Sequence, residues 1–127
     1  MLKRALIVED DAVTREALTA TLQAEGCVVD HAADGEVAGG LLTRERYDVI
    51  LLDIVLPKLS GIEIMEHLLE TRPEVLSAVI VVTGVEIAEI RELFPGVCDA
   101  LAKPLLPTRL LPAVRHCLGQ SARRGVA

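Results

Sequence analysis

Aromatic side chains are almost missing from this chain: Tyr47 and Phe94 are the only two, and there is no Trp. A core must therefore be built from aliphatic residues, and 51% of the 127 residues are hydrophobic. That composition suits a buried parallel sheet of Val, Ile and Leu. Long apolar runs are absent too. None approaches the ~20 residues of a membrane span, and the run after Met1-Leu2-Lys3-Arg4 is too short for a signal peptide. A basic surplus is also lacking; the net charge of −6 argues against a general nucleic-acid binder, which would carry a basic stripe. Cys27, Cys98 and Cys117 are odd in number and lack metal-like or disulfide-like spacing. They are read as buried small hydrophobes in a reducing cytoplasm. No internal repeat or low-complexity segment is present, and the length fits a single domain.

What is present alternates strand and helix from end to end, which implies an α/β fold with a parallel sheet. The first strand is expected over Arg4 to Val8 and a helix over Ala12 to Glu25, with Asp11 as N-cap and Val13, Ala17, Leu18, Thr21 and Leu22 facing inward. Gly26 stands where a helix C-terminal glycine belongs. Cys27 to Ala32 reads as the second strand. Asp34 opens a helix to Arg44, weakened by Gly39-Gly40. Tyr47 to Asp53 is unbroken in hydrophobicity and so central. Ser60 and Glu63 form a capping box for a helix to Thr71, which Arg72-Pro73 stops. Ala78 to Thr83, a short helix Glu86 to Phe94, and Ala100 to Lys103 follow. The last helix is expected over Pro107 to Leu118, with a kink or late start at Pro112, and Ser121 to Ala127 as a frayed tail.

Four of the apolar runs stop on residues suited to phosphoryl chemistry. Leu6-Ile7-Val8 meets Glu9-Asp10-Asp11, Val49-Ile50-Leu51-Leu52 meets Asp53, Val79-Ile80-Val81-Val82 meets Thr83, and Ala100-Leu101-Ala102 meets Lys103-Pro104. In an open sheet wound right-handedly, with helices on both faces, these ends share the carboxyl edge, where functional sites lie. Singly, each has a plainer reading: a strand-end Asp is a turn former or helix cap, Thr83 a loop hydroxyl, Lys103 a surface charge. Together they are harder to dismiss. Two carboxylates ~4 Å apart repel by about 4 kcal/mol at an effective dielectric near 20. Gathering Glu9, Asp10 and Asp53 therefore calls for counter-charge, which Lys103 and a divalent metal supply. Oxygen-only ligands favour Mg²⁺ or Mn²⁺ over Zn²⁺.

As a set, Leu6-Ile7-Val8-Glu9-Asp10-Asp11, Leu51-Leu52-Asp53-Ile54-Val55-Leu56-Pro57, Ser60-Gly61, Val82-Thr83-Gly84 and Lys103-Pro104 resemble the receiver domain of two-component response regulators, from about Leu2 to Leu118. The resemblance implies a doubly wound, flavodoxin-like five-stranded parallel sheet of order 2-1-3-4-5. It implies Asp53 as acceptor of a phosphoryl group from a sensor histidine kinase or histidine phosphotransfer protein. Glu9, Asp10, Asp53 and the backbone carbonyl of Val55 would hold Mg²⁺, and Asp11 would cap the helix. Thr83, Gly84 and Lys103 would bind the phosphoryl oxygens, and Lys103-Pro104 would be cis. The expected product is a cytoplasmic signalling switch that promotes its own phosphorylation and dephosphorylation, with residues 1–119 as the receiver and 120–127 as a tail or linker start. No direct nucleic-acid or membrane contact is expected. With no DNA-binding domain after Leu118, the chain is either a single-domain regulator or the receiver of a longer protein.

The departures from the family pattern matter. Ala100 stands where an aromatic is usual, and the adjacent Asp99 cannot replace it. The Thr83 to Lys103 segment is about two residues short, trimming the fourth helix or its leading loop and pointing to an atypical partner or homodimer contact there. Phe94, at a helix end, is assigned to core filling. Val55 and Val85 are apolar where polar side chains would orient a hydrolytic water, which predicts a long-lived acyl phosphate. His31, His67 and His116 are assigned ordinary surface or half-buried roles. The rival readings are a receiver-like interaction module that does not switch, and an enzyme. An aspartyl phosphatase is disfavoured because Val55 cannot protonate a leaving group. A flavodoxin-like cofactor binder is disfavoured because no glycine-rich loop follows the first strand.

Overall fold

The computed structural model describes residues 2–84 and 87–124. Five parallel strands, β1 (Lys3–Val8), β2 (Cys27–Ala32), β3 (Val49–Asp53), β4 (Val79–Thr83) and β5 (Asp99–Ala102), form one sheet in the order β2-β1-β3-β4-β5. Helices α1 (Ala12–Ala24), α2 (Gly35–Arg44), α3 (Gly61–Thr71), α4 (Ile87–Leu93) and α5 (Pro107–Arg124) connect and follow them. This is the flavodoxin-like topology that the receiver-domain resemblance implies, with β3 central as its unbroken hydrophobicity predicts.

Successive strand residues point to opposite faces, and the two faces bury different helices. Leu6, Val8, Ile50 and Leu52 pack with α2, α3 and α4 through Leu42, Met65, Leu68 and Ile90. Ala5, Ile7, Val49 and Leu51 pack with α1 and α5 through Leu22, Leu110 and Val114. All five residues of β3 and of β4 are buried, as strands covered on both sides must be.

Local signals set the helix ends. The side chains of Asp11, Asp34 and Ser60 accept from the amides of Thr14, Val37 and Glu63. Gly26 takes φ +88° beyond α1. Several boundaries differ from expectation. A 3-10 helix, Pro73–Ala78, follows α3, because Pro73 is tolerated in a first turn although it cannot continue α3. The α5 helix runs on through Pro112 to Arg124 instead of fraying at Ser121, which is buried and donates to the Asp48 carboxylate. Val13 and Ala17, expected to face inward, are exposed: both line a trough that opens beside Asp53 at the carboxyl edge. Among the described residues no helix is long and apolar enough to cross a membrane.

The cysteine reading needs correction. Cys98, just before β5, is disulfide-bonded to Cys117 on α5, with Cα atoms 6.1 Å apart, and only Cys27 is a free thiol. Sequence spacing cannot reveal this pair, because the two residues meet through the packing of α5 across the sheet.

Candidate functional site

The site lies at the carboxyl edge because the parallel register ends all four contributing strands there. Asp53 is the last residue of β3 and sits beside Val82, while Thr83 closes β4 beside Ala102, so Lys103 follows directly. The Lys103 amide donates to the Thr83 carbonyl at 2.9 Å, and the Lys103–Pro104 peptide is cis. Glu9 follows β1, its amide donating to the Ala32 carbonyl at 3.0 Å.

Carboxylate oxygens of Glu9, Asp10 and Asp53 lie within 4.8 Å of one another. Glu9 and Asp53 are buried, and Asp10 is exposed. Asp11 is the cap of α1, its carboxylate held well below the usual range by the hydroxyl and amide of Thr14. The Lys103 ammonium donates to Asp53 Oδ2 at 2.8 Å and lies 4.0 Å from Glu9 Oε2. The other Asp53 oxygen, Oδ1, accepts from the Val55 amide at 3.1 Å.

The electrostatics follow from that crowding. Burial foremost, then the hydrogen bond and charge of Asp53, push the Glu9 carboxyl up to about 7, while Lys103 pulls the other way. Burial would lower the Lys103 ammonium, but Asp53, with Glu9 and Asp10 behind it, outweighs burial and raises it. Among the described residues three carboxyl groups face one ammonium, all the potential metal ligands are hard oxygens, and one edge is open at Asp10. This donor set fits a divalent cation of the Mg²⁺ type.

Other expected residues fall into place around this core. Thr83 is buried at the strand end, and Gly84 beside it is exposed. The Val55 side chain is 69% exposed. Val85 lies outside the described residues, as does Glu86 at the expected start of the fourth helix. Ala100 is buried in the same apolar layer as Ile90 and Phe94, so Phe94 fills core. Asp99 instead pairs with Arg91 of α4 at 3.0 Å. His31, His67 and His116 are all exposed.

Two positions support the site in ways the sequence reading did not assign. Arg15, one turn into α1, donates from Nη1 to the Glu9 carbonyl at 2.9 Å and so pins the acidic turn. Its only sequence signal is a basic residue shortly after an acidic run. At Gly61, a Cβ would stand 2.5 Å from the Asp53 carbonyl oxygen and 2.8 Å from Ile54 Cα, so only glycine lets α3 start directly beneath Asp53. A trough of about 390 Å³ opens beside Asp53, lined by Val13, Ala17, Leu18, Pro104 and Leu105.

The sequence model of the response regulator receiver domain matches residues 5–115. The chain is 32% identical over 115 residues, 91% of its own length and 50% of the relative's, to the response regulator MprA of Mycolicibacterium vanbaalenii. It thus spans about half the length of the curated relatives it matches. Among solved structures, a CheY-like response regulator receiver domain protein from Methanospirillum hungatei superposes with a TM-score of 0.84 at 29% identity, covering 98% of this chain and 99% of that one. The receiver domain of a sensor histidine kinase from Pseudomonas aeruginosa, solved with a magnesium ion coordinated in its active-site cleft, gives 0.80 at 31% identity over 94% and 99%. With a matching family model over nearly its whole length and the overall architecture of a solved receiver domain, this chain belongs to the response regulator receiver domain family.

Proposed function

We propose that the chain takes a phosphoryl group onto Asp53 from the phosphohistidine of a sensor histidine kinase or histidine phosphotransfer protein and switches conformation in response. The observation that carries this reading is the buried Asp53 carboxylate, bonded to Lys103 at 2.8 Å and grouped with Glu9 and Asp10. An Asp53 oxygen attacks phosphorus, the phosphorus–nitrogen bond of the donor breaks, and the imidazole leaves with its electron pair. Such transfer is mostly positioning and charge neutralisation. The Val55 amide and Lys103 fix the orientation of the carboxylate. Lys103 then neutralises phosphoryl oxygens, assisted by the Thr83 hydroxyl and the Gly84 amide.

Glu9, Asp10, Asp53 and the Val55 carbonyl are the groups we assign to Mg²⁺, which neutralises charge on the incoming phosphoryl group when bound. The magnesium in the Pseudomonas aeruginosa receiver supports this choice. We place the chain in the cytoplasm as a signalling switch that promotes its own phosphorylation and dephosphorylation, with the receiver unit running past the expected residue 119 to the end of α5 at Arg124.

A non-switching interaction module is the second reading, favoured by the small Ala100 and the seven-residue α4. Incubation with acetyl phosphate and Mg²⁺, read by intact mass, separates the two. A gain of one phosphoryl group in the wild type and none in Asp53→Asn is expected. No gain in the wild type, with no measurable Mg²⁺ affinity, leaves the interaction module.

A further inference from the structure

The bonded pair Cys98–Cys117 closes a loop that carries one member of the candidate site, Lys103. The two cysteines are 19 positions apart, and the covalent loop they close contains β5, Lys103, the Lys103–Pro104 peptide and the first turns of α5. The strand inside that loop is weakly held by its own side chains. β5 is an edge strand of four residues, Asp99-Ala100-Leu101-Ala102, in which Leu101 is the only large apolar residue. On the α5 side of the sheet, Leu101 packs in one layer with Leu110, Ala113, Val114 and Cys117, and the half-buried Cys98 joins that layer at its margin. The position of Lys103 over Asp53 therefore depends on a short strand whose firmest tie to α5 is covalent.

The two sulfurs are not equivalent. Cys98 is half-buried, whereas Cys117 is fully buried, so a reagent from solution reaches Cys98 first. Cys27 lies in the same apolar layer, and burial, aided by Asp48 and Glu25, raises its thiol above the ordinary range. It stays protonated and a poor competitor for exchange.

We propose that Cys98 and Cys117 form a reversible thiol–disulfide switch that sets how firmly the Lys103-bearing strand is held, with a low-molecular-weight disulfide of the glutathione type as oxidant. The Cys98 thiolate attacks one sulfur of that disulfide, forming a mixed disulfide and expelling one thiolate. The Cys117 thiolate then attacks the Cys98 sulfur and expels the second. Two protein thiols and one small disulfide become one protein disulfide and two small thiols, and reduction is the reverse. The sensing role rests on the cytoplasmic placement proposed above, since disulfides there are characteristically transient or regulatory.

The test uses the full chain in glutathione buffers of stepped redox ratio, with free thiols alkylated and counted by intact mass. Three alkylated thiols at the reducing end, one at the oxidising end and full reversibility are expected. Amide hydrogen exchange of residues 99–106 is expected to be about tenfold faster in the reduced form. Cys98→Ser should exchange fast in every buffer, and Cys27→Ser should respond as the wild type does. Two thiols that stay bonded at the most reducing ratio, or stay free at the most oxidising one, overturn the proposal, as does equal exchange in the two states. None of these readings requires phosphorylation, so failure of Asp53 to accept phosphate would be seen separately.

Discussion

Replacing Lys103 by Met tests the electrostatic account of the site, because it removes charge while keeping most of the side-chain volume. The ammonium lies 2.8 Å from Asp53 Oδ2 and 4.0 Å from Glu9 Oε2. At an effective dielectric near 20, those separations correspond to attractions of about 6 and about 4 kcal/mol. The Lys103 side chain is 40% exposed, so solvent screening and the cost of desolvation absorb most of this; a net loss of about 2 kcal/mol is expected in metal-free buffer at pH 8. The loss should shrink on acidification. Glu9 is raised to about 7 in the folded state, above its ordinary value of 4.5, so folding takes up a proton between those limits. Stability from this group therefore rises as the pH falls from about 8 towards 5, and the protonated Glu9 no longer repels Asp53. Urea denaturation in a chelator at pH 8 and pH 5.5 should give a smaller difference between variant and wild type at the lower pH, about 1 kcal/mol or less. An equal cost at both pH values, or less than about 0.5 kcal/mol at pH 8, would refute the picture of an acid cluster restrained by one lysine.

Three further outcomes are expected. Gly61→Ala forces a methyl against the Asp53 and Ile54 backbone and should cost about 2–3 kcal/mol, read as a lowered urea midpoint; an unchanged midpoint contradicts the contact. Lys58 adopts φ +68° in the loop before α3, so Lys58→Gly should stabilise by up to about 1 kcal/mol despite losing the 3.6 Å ion pair with Asp34, and a lower thermal midpoint would count against it. On the Asp53 phosphoacceptor reading, Val55→Asn should shorten the life of the acyl phosphate several-fold and Val55→Ala should not; faster loss from the alanine variant than from the asparagine variant sinks the idea.

The strands were legible in the sequence because continuous aliphatic runs have few other uses in a small protein, and the caps because Asp11, Asp34 and Ser60 each stand directly before an apolar periodicity. The grouping of Glu9, Asp10 and Asp53 followed from strand ends and winding rule alone. What escaped were features that depend on one element's position relative to another. Val13 has the spacing of a core residue, but it lines the trough that the neighbouring strand ends and Pro104 form beside Asp53. Arg15 and the disulfide partners act across elements. Gly61 matters because of a carbonyl eight positions earlier in the chain.

The uniform burial of β3 has a further consequence. A strand polar on one face cannot slip by one residue without burying that face, whereas Val49-Ile50-Leu51-Leu52 would be equally content one position out of step. Alignment must therefore come from the polar residues at its two ends. Before the strand, Asp48 exchanges bonds with the Arg4 backbone, its amide donating at 2.8 Å and its carboxylate accepting at 2.7 Å, and Ser121 holds the same carboxylate. After the strand, Asp53 is seized by Lys103 and seated over Gly61. Asp53 thus acts as a stop that indexes its own strand, whatever it does chemically, and replacing it loosens one of the two bookends that keep β3 in frame.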